Sequence, residues 1–424
     1  MVGSVNELSQ AELNELKIEL EAEYSEFASR NLALNMARGK PSGKLLDHNV
    51  DVLKTLENPF AADGTDARNY GILEGLPEMR KFFAEVLNLD PERIIVGGNS
   101  SLTLMYDSIV RLMMFGSCGN PAWRTLPKVK FLCPSPGYDR HFAITQEFGI
   151  EMITVPMTEN GPDMDIIEEL VANDDAVKGM WCVPLYSNPQ GVCYSDETVE
   201  RLGKMKTAAK DFKIFWDNAY GVHHIYEEVK LADIFSACER GGNPDRVYYF
   251  FSTSKITFPG AGVAMMAASL NERNEILKRM NIQTIGSDKL NQLRTLRTLK
   301  DAPTLKKHMA ELADILRPKF DIVLNTLDAE LSAGNFASWI KPRGGYFVSL
   351  DTMDGCAKKT LELAKNAGVT MTGAGATFPY KNDPRDRNIR IAPTFPTDEE
   401  LQTAMKLFCV CVKLAAVKKM IGEF

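Results

Sequence analysis

The chain has 424 residues, 45% of them hydrophobic and 25% charged, and its formal net charge is −7. This length favours two lobes rather than one core, and the composition is typical of soluble globular proteins. The negative charge argues against nucleic-acid binding, because neutralising phosphates needs a basic surface. No apolar run reaches the roughly 18 residues that suggest a membrane-spanning helix.

The cysteines and the first residues of the chain indicate where the protein works. None of the eight cysteines forms a CxxC pair, so the sequence predicts neither a metal site nor a disulfide framework. Reduced cysteines are typical of the cytoplasm. The first residues, MVGSVNELSQAELNELKIELEAEY, lack the basic and apolar regions of a signal peptide. We therefore expect a cytoplasmic protein.

Apolar periodicity predicts the secondary structure in chain order. Residues from about Leu8 to Asn31 have the spacing of an amphipathic helix. Seven short apolar runs follow as predicted strands: RIIVGG, KVKFLCPSP, EMITVPM, GMWCVPLYSNP, FKIFWDNAY, VYYFFSTSK and GVAMMAAS. After about Arg273 the pattern is helical, and it continues with the predicted strands GGYFVSLD and NIRIAPTF and a closing helix from about Thr397.

Several of the seven central runs lack a polar–apolar alternation, as expected for strands covered on both faces. Helical patterns fill the gaps between them. The sequence therefore predicts an α/β fold with a seven-stranded, mostly parallel, doubly wound sheet. We assign residues 48–314 to this large domain. Residues 1–47 and 315–424 are predicted to form a smaller α+β domain from both chain ends.

The unusual residues cluster where predicted strands end, which is the edge at which open α/β sheets bind ligands. Gly97 and Gly98 lead through Asn99, Ser100 and Ser101 into a predicted helix. Backbone N–H groups, hydroxyls and the positive end of the helix favour an anion there, with a phosphate as the natural candidate. The same residues also fit a simple helix cap after a tight turn.

Three further polar residues follow other predicted strands. Asp217 is costly to bury unless it meets a cation, although it also fits a helix cap. Asn188 lies in a turn signal. Lys255 ends an apolar run, and a desolvated lysine can attack a carbonyl as an imine-forming nucleophile. A phosphate cradle, a buried acid and such a lysine are the groups that hold pyridoxal phosphate.

Nine segments together resemble the fold-type I pyridoxal-phosphate enzymes, and specifically the aspartate-aminotransferase-like proteins. They are ARGKPSG, NYGILEGLPEMRKFF, GGNSSLTLMYD, PSPGYDRHF, SNPQG, DNAYG, STSK, RGGYFVSLD and NIRIAPTFP. The resemblance covers nearly the whole chain and is nearest to the divergent bacterial branch related to the aminotransferase-like part of MocR regulators. It implies an aminotransferase that uses pyridoxal 5′-phosphate and works as a homodimer with shared active sites.

The resemblance assigns the catalytic roles to Lys255, Asp217 and Tyr220. Lys255 would hold the cofactor aldehyde as a Schiff base and shuttle the proton. Asp217 would keep the pyridine nitrogen of the cofactor protonated. Tyr220 and Asn188 would bond to the phenolic oxygen of the cofactor, and Tyr138 would stack on its ring.

The resemblance also implies a set of supporting residues. His141 would support the buried aspartate, and Ser100, Ser101 and Ser252 would hold the cofactor phosphate. Tyr70 resembles the tyrosine that reaches the phosphate bound to the neighbouring subunit. These positions together define the predicted cofactor site.

The chain departs from the family at the phosphate. Family members usually carry an arginine in a PGxR pattern soon after the lysine, whereas this chain reads PGAG and has Gly262 in that place. Lys289 is our candidate for the replacement cation. The alternative for Lys289 is a solvated lysine at a helix start.

The resemblance places Arg390 on the substrate α-carboxylate, since a guanidinium fork matches a carboxylate. Gly39 would lie over the substrate on the small lobe, whose closure excludes water. An acidic amino donor needs a second cation for its distal carboxylate. Arg140 is the first candidate, Arg38 the second and Lys289 the third.

These residues favour ping-pong transamination between aspartate and 2-oxoglutarate, or glutamate in reverse. An aminotransferase for aromatic amino acids or kynurenine, and a β-lyase or decarboxylase on the same scaffold, are the alternatives. A ligand-sensing regulator with this fold would carry a winged-helix domain ahead of it. Because ARGKPSG begins at residue 37, we expect no such domain and no DNA binding.

Overall fold

The structure is a computed structural model that describes residues 4–37 and 39–424. Thirteen strands lie in these residues: β1 (Leu34–Met36), β2 (Ile94–Val96), β3 (Lys130–Ser135), β4 (Glu151–Thr158), β5 (Gly161–Pro162), β6 (Val177–Cys182), β7 (Lys213–Asp217), β8 (Val247–Ser252), β9 (Ala264–Ala267), β10 (Ala337–Trp339), β11 (Val348–Thr352), β12 (Val369–Met371) and β13 (Asn388–Ile391). Thirteen α-helices lie in the same residues: α1 (Gln10–Ser29), α2 (Gly43–His48), α3 (Pro77–Leu87), α4 (Ser101–Phe115), α5 (Asp139–Glu147), α6 (Met164–Asn173), α7 (Asp196–Lys204), α8 (Ile234–Arg240), α9 (Leu270–Gln283), α10 (Lys289–Leu299), α11 (Ala302–Leu331), α12 (Ala357–Asn366) and α13 (Asp398–Met420).

The large sheet has eight strands in the order β2-β9-β8-β7-β6-β3-β4-β5. β9 runs antiparallel to both of its neighbours, and β5 pairs antiparallel with β4, whereas the other neighbours are parallel. All seven strands predicted for this sheet are present, and the mostly parallel α/β fold is confirmed. The eighth strand has only the residues Gly161 and Pro162, which are too few to produce an apolar pattern.

The central strands are buried at every residue of β6, β7, β8 and β9, which explains why their sequences do not alternate. Successive side chains of a strand point to opposite faces of the sheet. In β7, Phe215 joins the apolar core on one face and Trp216 joins the core on the other. Because β3, β6, β7 and β8 are parallel, their carboxyl ends lie at one edge of the sheet.

The smaller unit is built from both chain ends. β1 pairs in parallel with β12, which places Leu34 beside Val369. β10, β11 and β13 form an antiparallel sheet, and α1 and α12 both pack against α13. The predicted strands GGYFVSLD and NIRIAPTF correspond to β11 and β13. The strands that the sequence missed, β1, β10 and β12, have three residues each, too few for a period to show.

The boundary predicted at residue 314 falls inside α11, which is 30 residues long. We keep residues 48–314 as the proposed large domain, with α11 shared between the two units.

The helices at the two chain ends each begin directly after an N-cap residue. Ser9 and Glu12 form a capping box before α1, and Thr397 and Glu400 form another before α13. The closing helix therefore begins where the sequence predicted it.

All eight cysteines of the chain are free, and Cys118 alone among them is exposed. Burial raises the pKa of Cys133 well above its usual value, so this thiol stays protonated. Within residues 4–37 and 39–424, no helix has the length and apolar character needed to cross a membrane.

A buried ion pair fixes the end of β7 that lies away from the strand carboxyl ends. Nζ of Lys213 lies 2.6 Å from Oε1 of Glu272, and both side chains are buried. Ser117 and Tyr248 donate hydrogen bonds to the other carboxylate oxygen. Burial opposes the ionisation of Glu272, but Lys213 and the two hydroxyls outweigh it and lower its pKa. Its ionised form therefore stabilises the fold above the ordinary pKa of 4.5, and this contribution is lost as the pH falls through the lowered pKa.

We expect Lys213→Met to lower the free energy of unfolding by about 3–5 kcal/mol at pH 7, because it leaves the Glu272 carboxylate buried without its cation. The measurement is urea denaturation followed by circular dichroism. The matched control is Lys204→Met, which removes an exposed lysine that lies 2.9 Å from Glu200 and should cost about 0–1 kcal/mol. Equal losses in the two variants would contradict the assigned role of the buried pair.

Candidate active site

A cleft of about 700 Å³ opens at the carboxyl ends of the parallel strands, between the large sheet and the smaller unit. The large sheet and its loops contribute Asn188, Asp217 and Lys255, and the smaller unit contributes Gly39 and Arg390. A second cavity of about 560 Å³ lies elsewhere and has a more apolar wall. Because the predicted charged residues meet in the first cleft, this cleft is the candidate active site.

Lys255 lies in a single helical turn, Thr253–Lys255, that directly follows the buried strand β8. Its side chain is half-buried, and Nζ lies 4.4 Å from the centroid of the Tyr220 ring. Burial lowers the pKa of Lys255; Tyr138 and Asp217 oppose this change, and Arg390 adds to it. The amine therefore has a larger neutral fraction than a solvated lysine, as a nucleophile towards a carbonyl requires.

Asp217 is buried at the end of β7, and only one of its two carboxylate oxygens takes part in a hydrogen bond. Nε2 of His141 lies 3.1 Å from Oδ2 of Asp217, whereas Oδ1 is buried without a hydrogen-bond partner. An unpaired buried acceptor costs about 1–3 kcal/mol, and more when it is charged. A ligand that presents a protonated ring nitrogen would remove this cost.

The histidine that supports this aspartate is held in place by Trp181. The two rings are stacked, with centroids 4.3 Å apart and an interplanar angle of 9°. The indole N–H of Trp181 donates to Thr145, and the Thr145 hydroxyl donates to the carbonyl of His141. The sequence analysis missed Trp181 and Thr145, because an apolar strand residue and a helix threonine carry no catalytic signal by themselves.

The aromatic and amide side chains predicted to contact the cofactor all line the cleft. Tyr138 precedes α5, and its ring lies edge-on to His141 with centroids 4.9 Å apart. Burial raises the pKa of Tyr138 to about 12, so its hydroxyl stays protonated. Tyr220 and Asn188 are buried in the same wall. The structure therefore brings these three residues together beside Lys255.

Four serines form a cradle at the amino end of α4. Ser100 precedes this helix without making a side-chain cap bond, and Ser101 is its first residue. Oγ of Ser252 lies 2.7 Å from Oγ of Ser254, which in turn donates to the carbonyl of Asn99. The positive end of a helix together with several hydroxyls suits a phosphate. Ser254 was missed by the sequence analysis.

Gly262 explains how this cradle differs from the family pattern. A Cβ atom at residue 262 would lie 2.7 Å from Oγ and 2.9 Å from Cα of Ser254. Real Cβ atoms essentially never approach so closely, so an arginine at this position would displace Ser254. The absence of a side chain is what allows Ser254 to enter the cradle.

Lys289 does not line the cleft of its own chain, so its role as the phosphate cation stays a prediction. It is buried, and its Nζ donates to the carbonyl of Gly71, 3.0 Å away. Gly71 follows Tyr70, whose side chain is 83% exposed and also lies outside the cleft. Contact of either residue with a cofactor phosphate would therefore have to be made in a second subunit.

Arg390 projects from β13 into the cleft and is buried. Its Nη1 donates to Oδ1 of Asp139, 2.9 Å away, and to Oδ1 of Asn188, 3.2 Å away. Its Nη2 donates to Thr372 at 3.3 Å, and its Nε is buried without a partner. The guanidinium therefore faces the sheet in a fixed orientation. The sequence analysis missed Asp139 and Thr372.

Gly39 is required by the packing around this arginine. Cζ of Arg390 lies 4.8 Å from the centroid of the Phe347 ring. A Cβ atom at residue 39 would lie 2.6 Å from the same ring. A side chain at Gly39 would therefore push Phe347 out of its place against Arg390.

Several more cations surround the mouth of the cleft. Arg140 is exposed and lines the cleft, as the sequence analysis proposed. Lys40 and Lys381, which were not proposed, line it as well. Arg38, the second sequence-based candidate, lies outside the described residues.

Comparison with known proteins shows which proteins the chain is similar to. A protein of Mycolicibacterium smegmatis is 48% identical over 406 residues, which cover 94% of this chain and 95% of that protein. The aspartate aminotransferase of Corynebacterium glutamicum is 45% identical over 405 residues, covering 94% of this chain and 93% of that protein. The crystal structure of an aspartate transaminase from Corynebacterium glutamicum has a TM-score of 0.96 at 43% identity, covering 98% of this chain and 99% of that one.

Fold, cleft and relatives together define a pyridoxal-phosphate-dependent aminotransferase of fold type I. The chain belongs to the aspartate amino-transferase family, which matches residues 8–424. The cleft fits the cofactor of this class. The unpaired Oδ1 of Asp217 suits a protonated pyridine nitrogen, the serine cradle suits a phosphate, and the amine of Lys255 suits an aldehyde.

We expect Gly262→Ala to weaken the binding of pyridoxal phosphate at least about tenfold, because the added Cβ displaces Ser254 from the cradle, and losing one charge-assisted hydrogen bond costs about 1.5–3 kcal/mol. The measurement is the dissociation constant from absorbance titration of the cofactor-free protein. Gly260→Ala in the same turn is the matched control, because a Cβ there meets nothing within 4 Å. Equal affinities for the two variants would show that the cradle does not depend on Gly262.

Proposed function

We propose that the protein transfers the amino group between aspartate and 2-oxoglutarate, or glutamate in reverse, by a ping-pong mechanism. The observation that carries this proposal is a cleft with cations at two places: a buried Arg390 at its inner wall and the group Arg140, Lys40 and Lys381 at its mouth. A dicarboxylic amino acid offers one carboxylate to each place. The 45% identical relative named aspartate aminotransferase supports the same substrate.

Pyridoxal phosphate, when bound, supplies an aldehyde that accepts the amino group and a ring that accepts the electron pair left at the substrate Cα. Asp217 would hold the ring nitrogen protonated, and His141 keeps that carboxylate in position at 3.1 Å. Tyr220 and Asn188 would bond to the phenolic oxygen. Lys255, whose pKa is lowered, would take the proton from the substrate Cα and pass it to the carbon that carried the cofactor aldehyde, and it would move a proton in the opposite direction in the second half of the reaction.

Arg390 orients the amino donor. Its guanidinium is fixed by Asn188 and Thr372, so it presents a pre-organised edge to the α-carboxylate. Asp139 also accepts a hydrogen bond from Nη1 of the same guanidinium. This carboxylate compensates the buried charge of Arg390.

The smaller unit would close over the bound substrate. Gly39 and Phe347 line the cleft from this unit, opposite Asp217 and Lys255 on the large sheet. Closure of the two units would exclude water and complete the site. We further propose that the enzyme is a cytoplasmic homodimer, in which the exposed Tyr70 reaches the phosphate bound to the other subunit.

The first experiment is the visible absorbance of the purified enzyme with pyridoxal phosphate, before and after amino acids are added. We expect a visible band that Lys255→Ala abolishes, because the Lys255 amine binds the aldehyde. L-aspartate should bleach the band and L-phenylalanine should not, because phenylalanine leaves the cations at the cleft mouth unpaired. The control is Lys204→Ala, which replaces an exposed lysine that is distant from Lys255 in the sequence.

The outcomes separate the parts of the proposal. A band that depends on Lys255 but bleaches equally with phenylalanine would favour the aromatic aminotransferase and overturn the acidic specificity. A band that no amino acid bleaches would overturn transamination while leaving the cofactor in place. A band unaffected by Lys255→Ala would overturn the assignment of the lysine.

We expect Arg140→Gln to lower kcat/KM for aspartate about 10- to 100-fold, because a hydrogen bond to a charged group contributes about 1.5–3 kcal/mol. The value for alanine, which has no distal carboxylate, should change little. Steady-state kinetics with both donors is the measurement, and Lys381→Gln is the matched variant at the same cleft mouth. A larger loss in Lys381→Gln than in Arg140→Gln would transfer the role to Lys381.

A further inference from the structure

A cluster of two histidines and a glutamate lies behind the Lys255 turn and takes no part in the proposed reaction. His48 ends α2, and His308 and Glu311 are one turn apart on α11. One ligand atom of each residue lies within 4.8 Å of the other two. The rings of His48 and His308 are stacked with centroids 5.4 Å apart.

We propose that His48, His308 and Glu311 bind a divalent transition-metal ion, with Zn²⁺ as the best match. Two imidazole nitrogens and one carboxylate oxygen form a donor set that zinc accepts, with a water as the fourth ligand. Zinc bonds of about 2.0–2.2 Å in a tetrahedron place neighbouring ligand atoms about 3.4 Å apart. Nε2 of His48 and Oε2 of Glu311 are already 3.2 Å apart. The ligand nitrogen of His308 needs to approach these two atoms by about 1.5 Å at most, which is within reach of side-chain rotation.

The orientation of His308 is the second observation that points to an ion. Its Nε2 donates to the backbone carbonyl of Ile256, 2.9 Å away, which leaves Nδ1 for coordination. Histidine ligands of metals almost always donate their other ring N–H to a carboxylate or a carbonyl in this way, since the bond fixes the tautomer and the ring. A simple ion pair between His48 and Glu311 would not use His308 at all.

The cluster is accessible and linked to the cleft. The side chains of His48 and Glu311 are 30% and 45% exposed, so an ion can reach them from solvent. α2 begins directly after the segment that contains Gly39 and Lys40, which line the cleft. Ile256 is the residue after Lys255. An ion would therefore tie α2 to α11 and hold the backbone behind the Lys255 turn.

The experiment uses tag-free enzyme with its cofactor bound, treated with a chelator and dialysed, in a Cys118→Ser background that removes the exposed thiol. Zn²⁺ is titrated by calorimetry. We expect one equivalent to bind, and His48→Gln and Glu311→Gln each to weaken the binding at least about tenfold. Glu275→Gln, a glutamate of α9 paired with Lys278, is the matched control and should leave the affinity unchanged.

Two further measurements keep the test decisive if a variant folds poorly. Anomalous diffraction at the zinc edge should place the ion between the three side chains in the unaltered protein. Hydrogen exchange of the segment 253–260 should slow when Zn²⁺ is added, and not in Glu311→Gln. Absence of stoichiometric binding, an ion located elsewhere, or an affinity that His48→Gln and Glu311→Gln leave unchanged would overturn the proposal. None of these readouts depends on which amino acid the enzyme uses.

Discussion

The side chains of β6, β7 and β8 pack into two apolar cores, one on each face of the large sheet. Burying a polar group within these strands costs free energy unless the group is paired, so the polar residues of the cleft lie where the strands end. Because the strands are parallel, their carboxyl ends lie side by side, and Asn188, Asp217 and Lys255 become neighbours although they are distant in sequence. The position of the candidate active site follows from this constraint.

The second requirement is a set of contacts across the cleft. Arg390 belongs to a small sheet made from the chain end, yet it bonds to Asp139 and Asn188, which follow strands of the large sheet. The free-energy cost of burying this guanidinium is reduced because these oxygens accept its hydrogen bonds. The same contacts bring Gly39 and Phe347 to the cleft, so the geometry of the cleft depends on the relative position of the two units.

In the serine cradle, the absence of a side chain at residue 262 affects the position of another residue. In the sequence, Gly262 reads as the loss of a cation, and Lys289 as its replacement. In the structure, the space left by Gly262 is taken by Ser254, and Lys289 is bonded to Gly71 on the outside of the cleft. The cradle that this chain forms therefore consists of hydroxyls and a helix end, and Lys289 does not line it.

The sequence by itself determined the seven main strands and the α/β class, and it singled out Lys255, Asp217 and Arg390, which the structure brings into one cleft. These follow from local signals, since apolar runs, turn residues and polar residues at strand ends are properties of neighbouring positions. Only the tertiary structure decided which side chains meet. Trp181 against His141, Asp139 on Arg390, Ser254 in the cradle and His48 beside His308 are contacts between distant segments. Their geometry depends on packing and on the space beside glycines. Neither can be predicted from a local sequence pattern.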